Sequence, residues 1–403
     1  MVWIKNVYLE TGYEEVSPKK FITTTAEFAL EVENGEIKTI SQKKQENNRD
    51  TIDAKGYLAL PSLQDNHIHL DKGYFGGEWQ AVVPASGVVE RIQEEKGFLK
   101  DFLPETPKKA QALIDLICDK GATFLRVQTN VDSVIGLDNM ACIKKVLEEN
   151  KHRLDYEMVV FPQHGTLITE EQGLLRSALA SDDKFILGGL DPATIDGDIE
   201  KSLHTTFTLA SHYYREIDYH LHDRGTLGLF EIKRIIDYTK KYQLEGKVQI
   251  SHALALADGD EQTIQMIAKR LAEAEIGINT TIPIDTTVLP ILLLQENGVK
   301  VRVVNDNIND HWSPFGSGDL IERASRAAEV FSMKDERSLA QAYSLVSNGR
   351  TPLNKKGQQQ WPKIGDQADF LFTKAASSAH LIARICPERV VMFKGKLVSG
   401  KFD

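Results

Sequence analysis

Residues 248–282 read VQISHALALADGDEQTIQMIAKRLAEAEIGINTTI and contain one complete unit of the predicted fold. Two short apolar runs, Val248–Leu254 and Ile276–Ile282, lie at the ends of a charged segment. The apolar residues of that segment that recur at the spacing of one helix face are Ile264, Ile267 and Leu271. The stretch therefore predicts a strand, a helix and a second strand in succession.

The same alternation extends over most of the chain. Eight apolar runs are separated mostly by charged segments with helical spacing: Leu58–Leu70, Thr123–Asp132, Tyr156–Gly165, Phe185–Asp191, Ile217–Asp223, Val248–Leu254, Ile276–Ile282 and Val299–Asn305. Eight strand-helix repeats are typical of a (β/α)8 TIM barrel, the α/β fold that we expect for residues 58–354. The first crossover, about 71–122, is longer than the others and is expected to carry an active-site loop.

Both ends of the chain follow a different pattern. Short alternating runs with an Asn34-Gly35 turn near the N-terminus predict antiparallel strands, and so do runs such as Val390–Phe393 near the C-terminus. We therefore expect residues 1–57 and 355–403 to form one small β-sandwich-like domain together.

Composition and charge limit the classes of function. The 403 residues are 41% hydrophobic and 26% charged, with a formal net charge of −10 and no concentrated basic stretch, which argues against a nucleic-acid partner. The sequence has neither a run of about 18 apolar residues nor a signal-peptide pattern, so we expect no membrane association. Three widely separated cysteines indicate reduced thiols and a cytoplasmic location, while a homo-oligomer stays open.

Histidines and carboxylates follow the ends of the predicted barrel strands, where catalytic residues of such barrels lie. His67 and His69 end the first run, and because strand side chains alternate between faces, both point the same way. Addition of His220 and Asp306 gives three imidazoles and a carboxylate. This set suits one zinc or ferrous ion with room for a water molecule.

Several motifs resemble one family in combination. They are Leu60-Pro61 with Asn66-His67-Ile68-His69-Leu70-Asp71-Lys72, Phe161-Pro162-Gln163, Ser202-Leu203-His204, Ser251-His252, and Asp306 with Trp312-Ser313-Pro314-Phe315-Gly316. From about residue 55 onward the chain resembles the amidohydrolase superfamily, in its cytosine deaminase branch.

The resemblance implies a hydrolase with one divalent ion per chain, Zn or Fe, held by His67, His69, His220 and Asp306. Bridging lysines of binuclear relatives would fall at Gly188-Gly189 of the fourth strand, where no lysine exists. In such an enzyme the ion lowers the pKa of a water, and the resulting hydroxide attacks a C=N or C=O carbon.

The resemblance also implies roles for substrate-contacting residues. His252 would polarise or orient the substrate, and Gln163 would hydrogen-bond the edge of a heterocycle. Trp312 is expected to wall the pocket, although a buried loop aromatic is the alternative. Lys72 either supports the site or forms an ordinary ion pair.

This chain departs from the family pattern in three strands. On the fifth, His220-Leu221-His222-Asp223 replaces His-Cys-Asp-Glu, so Asp223 is the expected proton carrier in place of a glutamate. On the third, His164 replaces a glutamate, and on the second Gln128-Thr129-Asn130 replaces Arg-Thr-His. His164 and His222 either contact the substrate or support the residues that do.

The predicted function is therefore hydrolysis of a ring C–N bond in a small cyclic amidine or other N-heterocycle. Two alternatives stay open. One is hydrolysis that releases an alkylamine or cleaves an acyclic amide. The other is a metal-retaining binding or regulatory protein without turnover.

Overall fold

The computed structural model describes residues 1–42 and 51–403. Its strands are β1 (Val2–Ser17), β2 (Lys20–Glu33), β3 (Glu36–Ser41), β4 (Thr51–Asp53), β5 (Leu58–Pro61), β6 (Leu63–His69), β7 (Ala122–Asn130), β8 (Asp155–Phe161), β9 (Ile186–Leu190), β10 (Ile217–Leu221), β11 (Val248–His252), β12 (Gly277–Thr280), β13 (Val301–Val303), β14 (Phe370–Thr373), β15 (Arg389–Phe393) and β16 (Lys396–Ser399).

Helices follow or connect these strands. They are α1 (Val88–Phe102), α2 (Thr106–Asp119), α3 (Asp138–Glu149), α4 (Thr169–Ser181), α5 (Ile199–Tyr213), α6 (Gly225–Tyr242), α7 (Glu261–Glu273), α8 (Ile291–Glu296), α9 (Leu320–Val330), α10 (Glu336–Ala342) and α11 (Ser378–Arg384). Short 3-10 turns lie at Leu103–Glu105, Leu254–Ala257 and Tyr343–Leu345. Within the described residues, no helix is both long and apolar enough to span a bilayer.

Strands β6 to β13 form the expected barrel. They lie in sequence order, and those pairings that have a defined register are parallel. The first and last strands meet where the Asp306 amide donates to the His67 carbonyl over 2.9 Å and the His69 amide donates to the Asp306 carbonyl over 3.3 Å. The predicted (β/α)8 fold is confirmed, and each of the eight predicted runs overlaps one barrel strand.

The first predicted run is divided between two sheets. Residues 58–61 form β5, which pairs with β14 and β1 of the terminal sheet, and the barrel begins only at Leu63. A continuous apolar run gives no sign of this change because both halves are buried. Ser62 lies at the junction, and its amide donates to the Asp369 carbonyl over 3.2 Å.

The terminal strands form the expected small β domain. Their order is β16-β15-β14-β5-β1-β2-β3, with β4 paired to β1, so the described strands make one connected sheet rather than two stacked sheets. One core holds this sheet together, and its members include Ile4, Leu30, Tyr57, Trp361, Phe370 and Phe372. The predicted domain limits, 1–57 and 355–403, stay a prediction. The structure adds β5, which lies just outside these limits, to the terminal sheet.

Helix α7 illustrates how the outer layer forms. Its buried residues are Ile264, Ile267, Ala268 and Leu271, which form one face against the barrel core. The helix begins after Asp260, whose carboxylate accepts a hydrogen bond from the Thr263 amide and so satisfies one free N–H of the first turn. The helices leave the carboxyl ends of the strands open, and the candidate site lies there.

Candidate active site

The four predicted metal ligands converge at one point. Oδ1 of Asp306 lies 3.3 Å from His67 Nε2 and 3.4 Å from His69 Nε2. His220 Nε2 lies 3.4 Å from His69 Nε2. These side chains come from two barrel strands, β6 and β10, and from Asp306 just beyond β13, so the barrel brings together atoms that are far apart in sequence.

The spacing and burial of these atoms fit a metal ion. Four ligands about 2.0–2.1 Å from one ion in a tetrahedral arrangement stand roughly 3.4 Å from one another. His67 Nε2 and Asp306 Oδ1 are buried and have no hydrogen-bond partner in the described structure. Buried polar atoms are rarely left unpaired, and a divalent cation between these two would satisfy both.

The protonation states also suit metal binding. Burial and the nearby Lys72 ammonium lower the pKa of His69 to about 4. Burial and the surrounding imidazoles lower the pKa of His220 well below its usual value. Although burial opposes ionisation of Asp306, the neighbouring histidines hold the pKa of its carboxyl well below the usual range. His69 and His220 therefore offer neutral imidazoles, and Asp306 a carboxylate, at neutral pH.

Two residues that sequence reasoning missed support His67 from behind. Ser251 Oγ lies 2.8 Å from His67 Nδ1 and donates to Asp218 Oδ1 over 2.8 Å. Asp218 and Ser251 are both buried. Asp218 precedes His220 by two positions, so the strand period that paired His67 with His69 could have found it.

Backbone strain is concentrated at these strand ends. Five non-glycine residues there have positive φ values: Asp191 at 26°, His252 at 68°, Ala253 at 49°, Ile282 at 55° and Asp306 at 61°. Such conformations are costly for residues with a Cβ atom and persist where the surroundings impose them, often at functional sites.

His252 and His222 lie beside the four ligands. Their ring centroids are 4.3 Å apart, and both line the cavity above the site. His222 Nδ1 lies 2.8 Å from Asp191 Oδ2, and although burial opposes protonation, Asp191 raises the pKa of His222. His252 Nε2 is buried without a hydrogen-bond partner in the described structure. A second combination of ligand atoms within 4.8 Å joins His252 to His67 and Asp306.

A cavity of about 870 Å³ opens over this group. Its lining includes His69, Lys72, Val88, Arg91, Phe161, Gln163, His220, His222, His252, Asp306 and Trp312. The first crossover contributes Val88 and Arg91 from α1, as expected for a segment near the active site. Gln163 and Trp312 are among the residues that line the cavity, and their contact with a substrate stays a prediction.

Two predicted site residues do not line the cavity. The Asp223 carboxylate accepts from the side chain of Thr194 and, over 3.3 Å, from its amide. Asp223 follows the end of β10 and is the third residue after His220, so the strand alternation and the turn into α6 direct it away from His220. His164 lies 3.4 Å from Glu171 and 3.9 Å from Asp132 and is not among the cavity-lining residues.

Comparisons with known proteins agree on one family. A sequence model described as the amidohydrolase family matches residues 162–392. The uncharacterized protein YahJ of Escherichia coli (strain K12) is 37% identical over 403 residues, which cover 99% of this chain and 87% of that protein. N-isopropylammelide isopropyl amidohydrolase of Pseudomonas sp. (strain ADP) is 27% identical over 360 residues, 87% of this chain and 88% of that enzyme.

One solved structure extends the similarity to the whole molecule. The crystal structure of N-isopropylammelide isopropylaminohydrolase from Burkholderia multivorans superposes with a TM-score of 0.86 at 28% identity. The match covers 100% of this chain and 98% of that enzyme, so the terminal sheet is part of the shared fold.

Proposed function

Because the chain belongs to the amidohydrolase family and is a hydrolase of carbon–nitrogen bonds, we propose that it uses one divalent ion, zinc or iron, to cleave a C–N bond of a small N-heterocycle. The observation that carries the proposal is the group of four mutually close atoms, His67 Nε2, His69 Nε2, His220 Nε2 and Asp306 Oδ1.

Two observations support a single ion. Among the described residues, both combinations of candidate ligands share His67, so they belong to one site. Strand β9, Ile186–Leu190, contains no lysine that could bridge two ions, and a Cβ atom at Gly189 would lie 2.5 Å from the Tyr219 ring. We therefore propose a stoichiometry of one.

Residues of the chain itself carry out proton transfer and hold the substrate. A bound divalent ion supplies a water-derived nucleophile at neutral pH. His252 takes a proton at Nε2 and returns it to the departing amine, and the His222–Asp191 pair orients the His252 ring by contact. Gln163 and Trp312 hold the heterocycle in the cavity. Asp223 fixes the loop that contains Thr194, and His164 packs with Glu171 as a structural residue.

The relatives favour release of an alkylamine over release of ammonia. The named enzymes of similar sequence and structure act on N-isopropylammelide, an alkylated triazine. A cavity of about 870 Å³ has room for such a ring with a substituent. We therefore propose that the leaving group is an alkylamine on an oxygenated N-heterocycle, with an unsubstituted ring amine as the second candidate.

The test is an amine-release assay on metal-analysed protein. Protein reconstituted separately with Zn²⁺ and Fe²⁺ is incubated with N-isopropylammelide, ammelide, cytosine and a pterin, and isopropylamine and ammonia are measured separately. We expect isopropylamine release that depends on the metal. A metal-replete protein that binds these compounds and releases neither amine would favour the binding or regulatory alternative instead.

A further inference from the structure

Glu95 is a buried carboxylate for which the proposed chemistry has no use. It lies in α1 and is 0% exposed. The other buried residues of that helix are the apolar Ile92 and Leu99, and the remaining ones are partly or fully exposed. The carboxylate oxygens of Glu95 are 3.3 and 3.4 Å from Lys72 Nζ, and Oε2 is also 2.8 Å from His311 Nε2. The carboxylate accepts hydrogen bonds from Asn130 Nδ2 and, over 3.0 Å, from Trp312 Nε1. A buried carboxylate is costly unless it is paired in this way, which indicates that its position is specified.

Lys72 continues the network to the cavity. Its ammonium donates to Gln163 Oε1 over 2.9 Å and to Asn130 Oδ1 over 3.2 Å. An ammonium has only donors, so the atom of the Gln163 amide that faces Lys72 must be the oxygen. The other end of that amide, Nε2, has no hydrogen-bond partner among the described residues, and Gln163 lines the cavity.

We propose that Glu95 is a positioning residue which, through Lys72, holds the Gln163 amide with its N–H groups toward the substrate. The cavity then presents donors to the ring edge, and the bound edge must carry an acceptor such as a ring oxo group or an unprotonated ring nitrogen. The same carboxylate fixes the Trp312 indole, whose ring lies 5.6 Å from Lys72 Nζ. This inference rests on the proposed function for the identity of the bound edge, but the link from Glu95 to Lys72 does not depend on it.

The first experiment needs no substrate. The zinc-loaded protein is labelled with [13Cε]lysine, the Lys72 signal is assigned with Lys72→Met, and its pH titration is followed by NMR. In Glu95→Gln the midpoint of the Lys72 titration should fall by roughly one to three pH units, since an opposite charge at this distance stabilises the ammonium. Glu95→Asp should restore part of the shift. The control is Asp101→Asn, which removes a carboxylate from the exposed face of the same helix.

The second experiment is a double-mutant cycle on kcat/KM for N-isopropylammelide. Glu95→Gln should lose at least about tenfold alone but less than about twofold in a Gln163→Ala background, because the amide that it positions is then absent. Metal content should equal that of the wild type throughout.

The outcomes separate the two proposals. An unchanged Lys72 titration in Glu95→Gln, or equal losses in both backgrounds, would show that Glu95 only docks α1 and would overturn the positioning role. Absence of amine release with the expected Lys72 shift would count against the proposed function alone.

Discussion

Ser251 Oγ lies 2.8 Å from Nδ1 of His67, on the opposite side of the imidazole from the atom that faces Asp306. Because the Ser251 hydroxyl donates to Asp218 Oδ1, its oxygen is free to accept from a His67 Nδ1–H, while Gln128 Nε2 lies 3.2 Å from the same nitrogen. In the tautomer that donates from Nδ1 to Ser251, the Nε2 lone pair of His67 is free for a cation. The structure thus prepares one ligand for a cation by a hydrogen-bond chain that begins at a buried carboxylate.

We expect Ser251→Ala to weaken metal binding roughly 10- to 100-fold, the usual effect of removing a partner behind a ligand histidine. Competition with a chromogenic chelator measures the change in affinity. Ser177→Ala is the matched control, since Ser177 is an exposed serine of α4 that bonds only to a carbonyl of its own helix. Equal affinity in both variants would contradict a role for Ser251 in metal binding.

Asp306→Ala should lose both bound metal and activity. Asp306 is the only anionic member of the proposed ligand set, and its removal leaves three neutral imidazoles around a divalent charge. Elemental analysis of the wild type should give close to one ion per chain. A variant that retains one equivalent of metal after dialysis, or an active wild type with two, would contradict the assigned site.

Two variants distinguish between Asp223 and His252 as the candidate proton carrier. Asp223→Asn should keep the metal and lose less than about tenfold in kcat, because its carboxylate bonds to Thr194 outside the cavity lining. His252→Gln should keep the metal and lose roughly 10²–10⁴-fold in kcat. If Asp223→Asn shows the larger loss of kcat, the loop around Asp223 must rearrange when the substrate binds. Asp223 would then be the proton carrier, as the sequence predicts.

The barrel and the closeness of the four candidate ligands could be predicted from the sequence because both depend on strand periodicity. Eight apolar runs predict eight strands, and residues two apart on a strand end, such as His67 and His69, face the same point. The same rule breaks down where a strand ends. Asp223 lies beyond β10, and its direction depends on how the loop packs against Thr194.

Contacts between residues that are far apart in the chain could not be predicted from the sequence either. Glu95 is separated from Lys72 by 23 positions and from Trp312 by 217, and no local pattern marks it among the other acidic residues of α1. The change of sheet at Ser62 was hidden for a similar reason, because a run that is buried in both sheets carries no boundary signal.

Gln163→Ala should raise KM or lower kcat/KM and leave the metal content unchanged. The amide contacts the cavity and Lys72 but lies outside the ligand set, so its loss removes binding of the ring edge without touching the ion. Gln163→Glu should be more harmful than Ala, because a carboxylate beside Lys72 offers the substrate no N–H donor. Unchanged kinetics in both variants would show that Gln163 does not bind the substrate.

Glu10 links the terminal sheet to α11, and its burial predicts that the stability of the folded protein depends on pH. The side chain is 1% exposed, Oε1 accepts from the Ser378 amide over 2.6 Å, and Oε2 has no partner in the described structure. Burial raises the pKa of Glu10 from 4.5 to about 7, although the Ser378 hydrogen bond opposes the shift. The folded protein therefore binds a proton at Glu10 more tightly than the unfolded chain does.

Between pH 4.5 and about 7 the native state retains that proton while the unfolded state releases it, so the contribution of Glu10 to stability falls as the pH rises. The loss is complete above the native pKa and amounts to about 3 kcal/mol. Glu10→Gln cannot ionise, and the decrease in its free energy of unfolding from pH 5 to pH 8.5 should be smaller than in the wild type by about that amount. Denaturant unfolding at both pH values measures it, with Glu14→Gln as the control on the exposed part of β1. Parallel pH profiles for the wild type and Glu10→Gln would show that Glu10 is already ionised in the folded protein at pH 5.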